Sequence, residues 1–320
     1  MYIAFFTENQ FTGKLARNQG GRTDANWIVG LDAEHFNFNQ SKEIDSWFEF
    51  GFIIVPKKEP MKAINFFWEN RNICEKWCWM QEGPANLYQD FPIETQLQFL
   101  GFLNEVDFIY CHNEQDVIYF KGIFPDKKVY TLPSLLIEDS IPAIPHENRS
   151  GSLISGNMCS WYGGMDSFIV AQFLGEQVFA PSMGRKLENE DGIVDLHHLP
   201  YMTWQQWFLE LNKRKYGINL MPTFAAGSFS LACARLKIPC LGWGRNDDKS
   251  PEGCDAQRLL FPELTIPKGN MQEALRVAKH LKENKLFYDH VSEYAFKAYN
   301  EIYSEKIFIT KLTKELKDEH

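Results

Sequence analysis

The sequence predicts an α/β protein of two doubly wound, Rossmann-like domains of similar size, with a cleft between them and a C-terminal helix crossing back. Three observations carry this reading. Short apolar runs alternate with helical patterns from Tyr2 to about Pro133, the order that builds a parallel sheet covered by helices. The alternation breaks in "SLLIEDSIPAIPHENRS" (134–150), where Pro142, Pro145 and a polar end read as a linker. It restarts at "GSLISG" and continues into a long amphipathic tail. The predicted organisation is therefore a first Rossmann-like domain over 1–140, a linker over 141–150, a second domain over 151–290, and a helix over 291–320 packing toward the first domain.

Each element has a local reason. "YIAFF" (2–6) is a strand, followed by the Gly-rich "TGKLARNQGG" loop. "RTDANWIVGLDAEHF" starts a helix, with Thr23 or Asp24 as N-cap and Trp27, Ile28 and Leu31 on one face. "FGFIIVP", "NICEKWCWMQEGP", "DFIYCHN" and "KKVYTLP" read as strands, with helices at "TQLQFLGFLNEV" and "EQDVIYFKGIF". In the second half, "GSLISG", "QVFAPS", "GINLMPT" and "IPCLGWG" are strands. "MDSFIVAQFLG", capped by Asp166 or Ser167, "TWQQWFLELNKRK", "SFSLACARLK", "DAQRLLF" and "NMQEALRVAKHLKEN" are helices.

Composition narrows the function. The chain has 320 residues, 44% hydrophobic and 15% aromatic, enough apolar surface for two cores. Its net charge of −9 argues against a non-specific nucleic-acid coat. No apolar run approaches the about 18 residues of a membrane span, and "MYIAFF" is too short for a secretory signal. A cytoplasmic chain is expected. Its seven cysteines are scattered without a disulfide framework, and no zinc-ligand set has matching spacing.

Open parallel sheets bind ligands at the carboxyl ends of their strands, so the candidates lie in loops that follow strands. In the second domain these are Asn157, Gly163 and Gly164 in "SGNMCSWYGG", with Arg185 and Lys186 in "PSMGRKLE". Tyr201 and Trp204 in "HHLPYMTWQQW" could stack a base or pack in the core. Thr223, Ala226, Gly227 and Ser228 stand together in "MPTFAAGSFSLACARL". Small residues at a helix start let backbone donors approach an anion; tight helix–sheet packing is the competing explanation. Arg258 begins a further helix behind Asp255. In the first domain Gly13, Arg17 and Arg22 follow strand one. Asp24, His35 and Glu82 are the candidates for acid–base work. Asp24 could instead cap its helix, His35 pack in one, and Glu82 cap a turn.

This order resembles the GT-B glycosyltransferases. "NQGGRTDANWIVGLDAEHF", "WMQEGP", "VYTLPS" and "CDAQRLLFPEL" look like signatures of uncharacterised and phage-type members. The resemblance implies a donor nucleotide-sugar, UDP- or GDP-linked, on the second domain and an acceptor on the first. The acceptor would be a glycan, a small molecule or a hydroxymethylated base in phage DNA. It implies no metal requirement and no further cofactor, and it leaves the oligomeric state open. One departure stands out. Retaining members carry a pair of glutamates around the helix corresponding to 225–235, where this chain has Ala225 or Ala226 and Ala232. A nucleotide-sugar 2-epimerase of the same fold, a two-domain ligand-binding protein and an inactive partner subunit are the rival expectations.

Overall fold

The computed structural model describes residues 1–8, 13–19, 23–38, 44–131, 134–141, 148–175, 177–182, 186–222, 227–244 and 255–317. The chain divides into two compact units, Met1–Ile137 and a second beginning at Glu138.

The first unit holds six parallel strands: β1 Ile3–Thr7, β2 Glu34–Asn37, β3 Phe48–Ile53, β4 Cys74–Met80, β5 Phe108–Cys111 and β6 Lys128–Thr131. Their spatial order is β2-β1-β3-β4-β5-β6. Four helices connect them: α1 Thr23–Gly30, α2 Pro60–Glu69, α3 Ile93–Glu105 and α4 Glu114–Ile123. Most of the unit's many aromatics go into its core. Trp79 is fully buried and meets Tyr88, Phe99 and Phe120 edge-on at 5.2–5.4 Å between ring centres, a geometry that the ring quadrupoles favour. Because β4 is covered by helices, its last four residues, Trp77–Met80, are all buried.

Two readings are corrected here. The helix expected through Phe36 ends at Gly30, and 34–37 form an edge strand beside β1. The stop is made by Asp32, which takes the left-handed conformation at φ 50°, while the Ala33 amide donates back to the Ile28 carbonyl at 2.9 Å. This is a Schellman-type close with Asp where Gly is commoner. The Lys14 ammonium holds the Asp32 carboxylate at 2.7 Å. Asp24 sits inside the first turn of α1 rather than capping it, and is buried.

The second unit holds β7 Ser152–Ile154, β8 Val178–Ala180, β9 Leu196–His198, β10 Tyr216–Asn219, β11 Cys240–Gly244 and β12 Thr265–Pro267. All are parallel, in the order β12-β11-β10-β7-β8-β9. The helices are α5 Gly164–Phe173, α6 Trp204–Asn212, α7 Ser228–Arg235, α8 Ala256–Leu260, α9 Met271–Glu283, α10 Lys285–Ala298 and α11 Glu305–Lys317. A π turn, Tyr299–Tyr303, links the last two. Strands β9 and β12 bury one residue each, Leu196 and Ile266, and so carry no apolar run that marks a strand in the sequence. The cap of α5 is Gly163, not Asp166 or Ser167. The Ser167 hydroxyl instead accepts the Leu220 amide at 3.1 Å, tying α5 to the end of β10. Thr203 caps α6 in a reciprocal box with Gln206.

Arg149 anchors the opposite, amino-terminal side of this sheet. Its guanidinium donates to the Asn212 side chain at 2.7 Å and to the Lys237 carbonyl at 2.9 Å. It thus satisfies carbonyls left open at the ends of α6 and α7.

Candidate functional site

Strand order locates the site of the second unit. The chain winds one way through β7, β8 and β9, then returns to β10 and winds the other way. The reversal falls between β7 and β10, which pair from Tyr216 with Ser152 to Ile218 with Ile154. Ligands of such sheets lie outside the carboxyl ends of the strands at that reversal. Two helix-starting loops leave from there, one to Gly163 and α5, the other to Gly227 and α7.

The glycines of these loops are shaped by the chain itself. Gly163 is left-handed at φ 60°, and a side chain there would run into the Leu220 carbonyl. Gly164 lies against the Asn157 carbonyl in the same way, with Asn157 itself buried. Gly227 is left-handed at φ 81°, and its missing side chain is the space taken by Ala256 of α8. Small residues at the start of α7 therefore serve close packing at Gly227. Arg185, Thr223 and Ala226, with Ala225, lie outside the described residues, as does Arg22 of the first unit. Ser228 opens α7, whose first turn has no acidic residue, whereas that of α5 carries Asp166. The α7 start is the more anion-tolerant of the two.

The remaining candidates of the second unit are spread among their own local contacts. Lys186 is ion-paired with Asp191 within its own loop. The Asp255 carboxylate caps α8 by accepting the Arg258 amide at 3.3 Å, and Arg258 is half-buried. Tyr201 is 90% exposed. Trp204 stacks on Trp207 at 4.8 Å and meets Phe208 edge-on, so its ring is engaged in packing. Gln257, which stands with Asp255 and Arg258 at the start of α8, lies over Gly242 and donates to the Cys240 carbonyl at 2.8 Å. It accepts the Ser230 hydroxyl at 2.7 Å, and Ser230 in turn receives the Asn219 amide at 3.3 Å. This chain fixes the carboxyl end of β10 against α7 and α8.

In the first unit the reversal falls at β1, between β2 and β3. His35 is a strand residue, not a helix residue. It is fully buried with its Nε2 2.7 Å from the Thr7 hydroxyl. Gly13, at φ 100°, returns from the loop after β1 and pairs with His35 through two backbone hydrogen bonds of 2.7 and 3.1 Å. Arg17 is exposed in a short 3-10 turn. Asp24 is buried, and Glu82 is half-buried after β4.

Beside Glu82 lies a polar cluster that sequence reasoning missed. One oxygen of the Asp116 carboxylate accepts Gln81 Nε2 at 2.6 Å, Asn113 Nδ2 at 2.6 Å and the Ala85 amide at 3.2 Å. Asn113 caps α4 by accepting the Asp116 amide at 2.9 Å. His112, also buried, faces the Trp27 ring edge-on at 6.2 Å. The available signal was "HNEQD": an Asn followed three residues later by Asp at a strand-to-helix turn. Among the described residues, no group of three or more His, Cys, Asp or Glu could hold a metal ion, and no helix is long and apolar enough to cross a membrane.

Neither a protein-family model nor a curated protein matches the sequence. Solved structures do. An alpha-glucosyltransferase in complex with UDP-glucose and DNA containing an abasic site is similar at a TM-score of 0.66 and 12% identity, covering 99% of both chains. Sucrose-phosphate synthase from Thermosynechococcus elongatus matches at 0.64 and 10% identity, over 85% of this chain and 73% of that one. A variant of S. aureus TarM in complex with fondaparinux, alpha-GlcNAc-glycerol and UDP matches at 0.61 and 12% identity, over 83% of this chain and 55% of that one. The chain has the GT-B fold. In the GT-B frame each unit is one Rossmann-like domain, which accounts for the two separate reversals of strand order.

Proposed function

We propose that this protein is a glycosyltransferase that moves a sugar from a nucleotide-diphosphate sugar, UDP- or GDP-linked, to an acceptor hydroxyl. The observation that carries the reading is the β7/β10 reversal with its two helix-starting loops, in a chain alike over 99% of its length to a glucosyltransferase holding UDP-glucose. The donor diphosphate belongs at the start of α7, near Gly227, Ser228 and the loop carrying Thr223 and Ala226, with Asn157, Gly163 and Gly164 shaping the adjacent wall. Arg258, Arg185 and Lys186 are the cationic candidates of this unit. Tyr201, exposed, is available to stack on a base. The acceptor belongs on the first unit, near Gly13, Arg17, Arg22 and Glu82. Backbone amides and cations are sufficient to stabilise a leaving diphosphate.

The test is thermal denaturation against UDP-, GDP-, ADP-, CMP- and dTDP-linked sugars, because a ligand that binds only the folded state raises the midpoint. A shift with one nucleotide supports the donor site. Flat curves at millimolar ligand favour a binding protein for another ligand, or an inactive subunit. Conversion of the free sugar nucleotide to its epimer, without an acceptor, would replace transfer by the epimerase reading.

A glycan or small-molecule acceptor fits the charge of the first unit. Residues 1–137 hold twelve Lys and Arg against eighteen Asp and Glu, a net of −6. The DNA-bound neighbour is the observation that favours a second reading, a modified base in DNA. A DNA acceptor predicts affinity that falls steeply with salt; a neutral acceptor predicts a flat dependence.

A further inference from the structure

Of the three acid–base candidates, Glu82 alone combines access with a fixed backbone. Asp24 is 5% exposed and His35 0%. Glu82 is half-buried, and it is the one ionisable side chain in the segment Gln81–Leu87. The segment is held from two sides. The buried Tyr88 hydroxyl accepts the Glu82 amide at 3.1 Å and donates to the Glu82 carbonyl at 3.2 Å. One phenol thus engages both main-chain groups of one residue. On the other side, Asp116 takes the Gln81 side chain and the Ala85 amide, one residue before Glu82 and three after it. The Gln81 amide also donates to the Tyr110 carbonyl at 3.0 Å.

Buried polar atoms spent in this way are costly to leave unmatched, so their arrangement holds the loop in one conformation. A loop after a strand that serves only as a connection has no need of two buried anchors. We infer that Tyr88 and Asp116 are positioning residues that present Glu82 as the hydrogen-bond acceptor for the hydroxyl of the sugar acceptor. This deepens the transferase reading and rests on it. It also names a substrate class: a carboxylate at this place selects a neutral or cationic hydroxyl compound and repels one phosphorylated next to its reacting hydroxyl.

The experiment uses the full chain and the nucleotide-sugar that raises the wild-type midpoint most, with water as the acceptor and nucleotide release as the readout. Glu82→Gln is expected to lower kcat about tenfold or more, with the nucleotide-sugar affinity unchanged. Tyr88→Phe keeps the ring and is expected to lower kcat by about three- to tenfold, again at unchanged donor affinity. Hydrogen exchange supplies a readout independent of activity: in Tyr88→Phe the Glu82 amide exchanges faster while the β4 amides keep their protection. Tyr119→Phe, on the exposed face of α4, is the control and should match wild type. Wild-type release with full kcat in Glu82→Gln overturns the role of Glu82. An unchanged kcat or an unchanged Glu82 amide in Tyr88→Phe overturns the clamp while leaving the transferase reading in place. No midpoint shift and no release by the wild type overturns the transferase reading and this inference with it.

Discussion

The Thr7 hydroxyl and the His35 imidazole lie 2.7 Å apart on the neighbouring strands β1 and β2, and both side chains are buried. The pair ties the edge strand β2 to its neighbour β1. Replacing Thr7 by Val leaves a buried ring nitrogen facing a methyl group, which costs about 1–3 kcal/mol. Urea denaturation of Thr7→Val should show a lowered midpoint at an unchanged slope. His35→Asn is expected to lose stability without the pH-dependent loss of turnover that a general base would give.

Gly163 should tolerate no side chain. Its backbone is left-handed, and a Cβ would meet the Leu220 carbonyl rather than solvent. Gly163→Ala is expected to cost about 2 kcal/mol or more. Gly13 is also left-handed but has open space around it, so Gly13→Ala should cost only about 1 kcal/mol, from the backbone conformation alone. Melting temperatures of the two variants, measured side by side, check the ranking.

Arg149 carries a load that no single partner reveals. It is half-buried and bonded to Asn212 and Lys237, and burial pulls its pKa below the ordinary value, partly offset by Tyr288. Arg149→Met removes the charge but leaves the carbonyls at the ends of α6 and α7 unmatched. A loss of about 3 kcal/mol is expected. The result to look for is reduced protection of the α6 and α7 carboxyl ends in hydrogen exchange, with the first unit unaffected.

Glu210 gives a pH dependence with a defined sign. Burial pushes its carboxyl up, but hydrogen bonds from Lys213 and Arg214 outweigh it, leaving the pKa below the ordinary 4.5. Arg214, so held, lies over the Phe179 ring at 3.6 Å. A carboxyl depressed in the folded state stabilises above its unfolded value, and that stabilisation is lost as pH falls through the folded value. Wild type should therefore melt above Glu210→Gln at pH 7, and the two should converge as the pH is lowered below about 4. A gap that persists unchanged at pH 3 would contradict the assignment.

The alternation of "YIAFF", "FGFIIVP" and "DFIYCHN" with helical segments was enough to read parallel sheets, because buried parallel strands are continuous apolar runs. The reading failed where a local rule was broken. Asp32 stands where a glycine would mark a helix stop, so the sequence of β2 continues the helical pattern of α1. Strands β9 and β12 bury a single residue each, whereas the equally short β7 and β8 bury three and two. Arg258, Tyr201 and Glu82 were legible as candidates because each follows a strand or opens a helix. Asp116 and Gln81 were not, because their roles depend on partners 31 to 35 residues away.

By itself the sequence determined the class of this protein: two α/β units, acidic overall, with strand-following loops rich in glycine and hydroxyl groups. Hydrophobic period and turn chemistry are local properties, and they survive without knowledge of the fold. Tertiary structure alone decided the strand order, and with it the reversals at β1 and at β7/β10. It also decided that Gly163 and Gly227 answer to the Leu220 carbonyl and to Ala256. Which groups meet across a sheet is set by the free energy of packing the whole unit, and no window along the chain contains that sum.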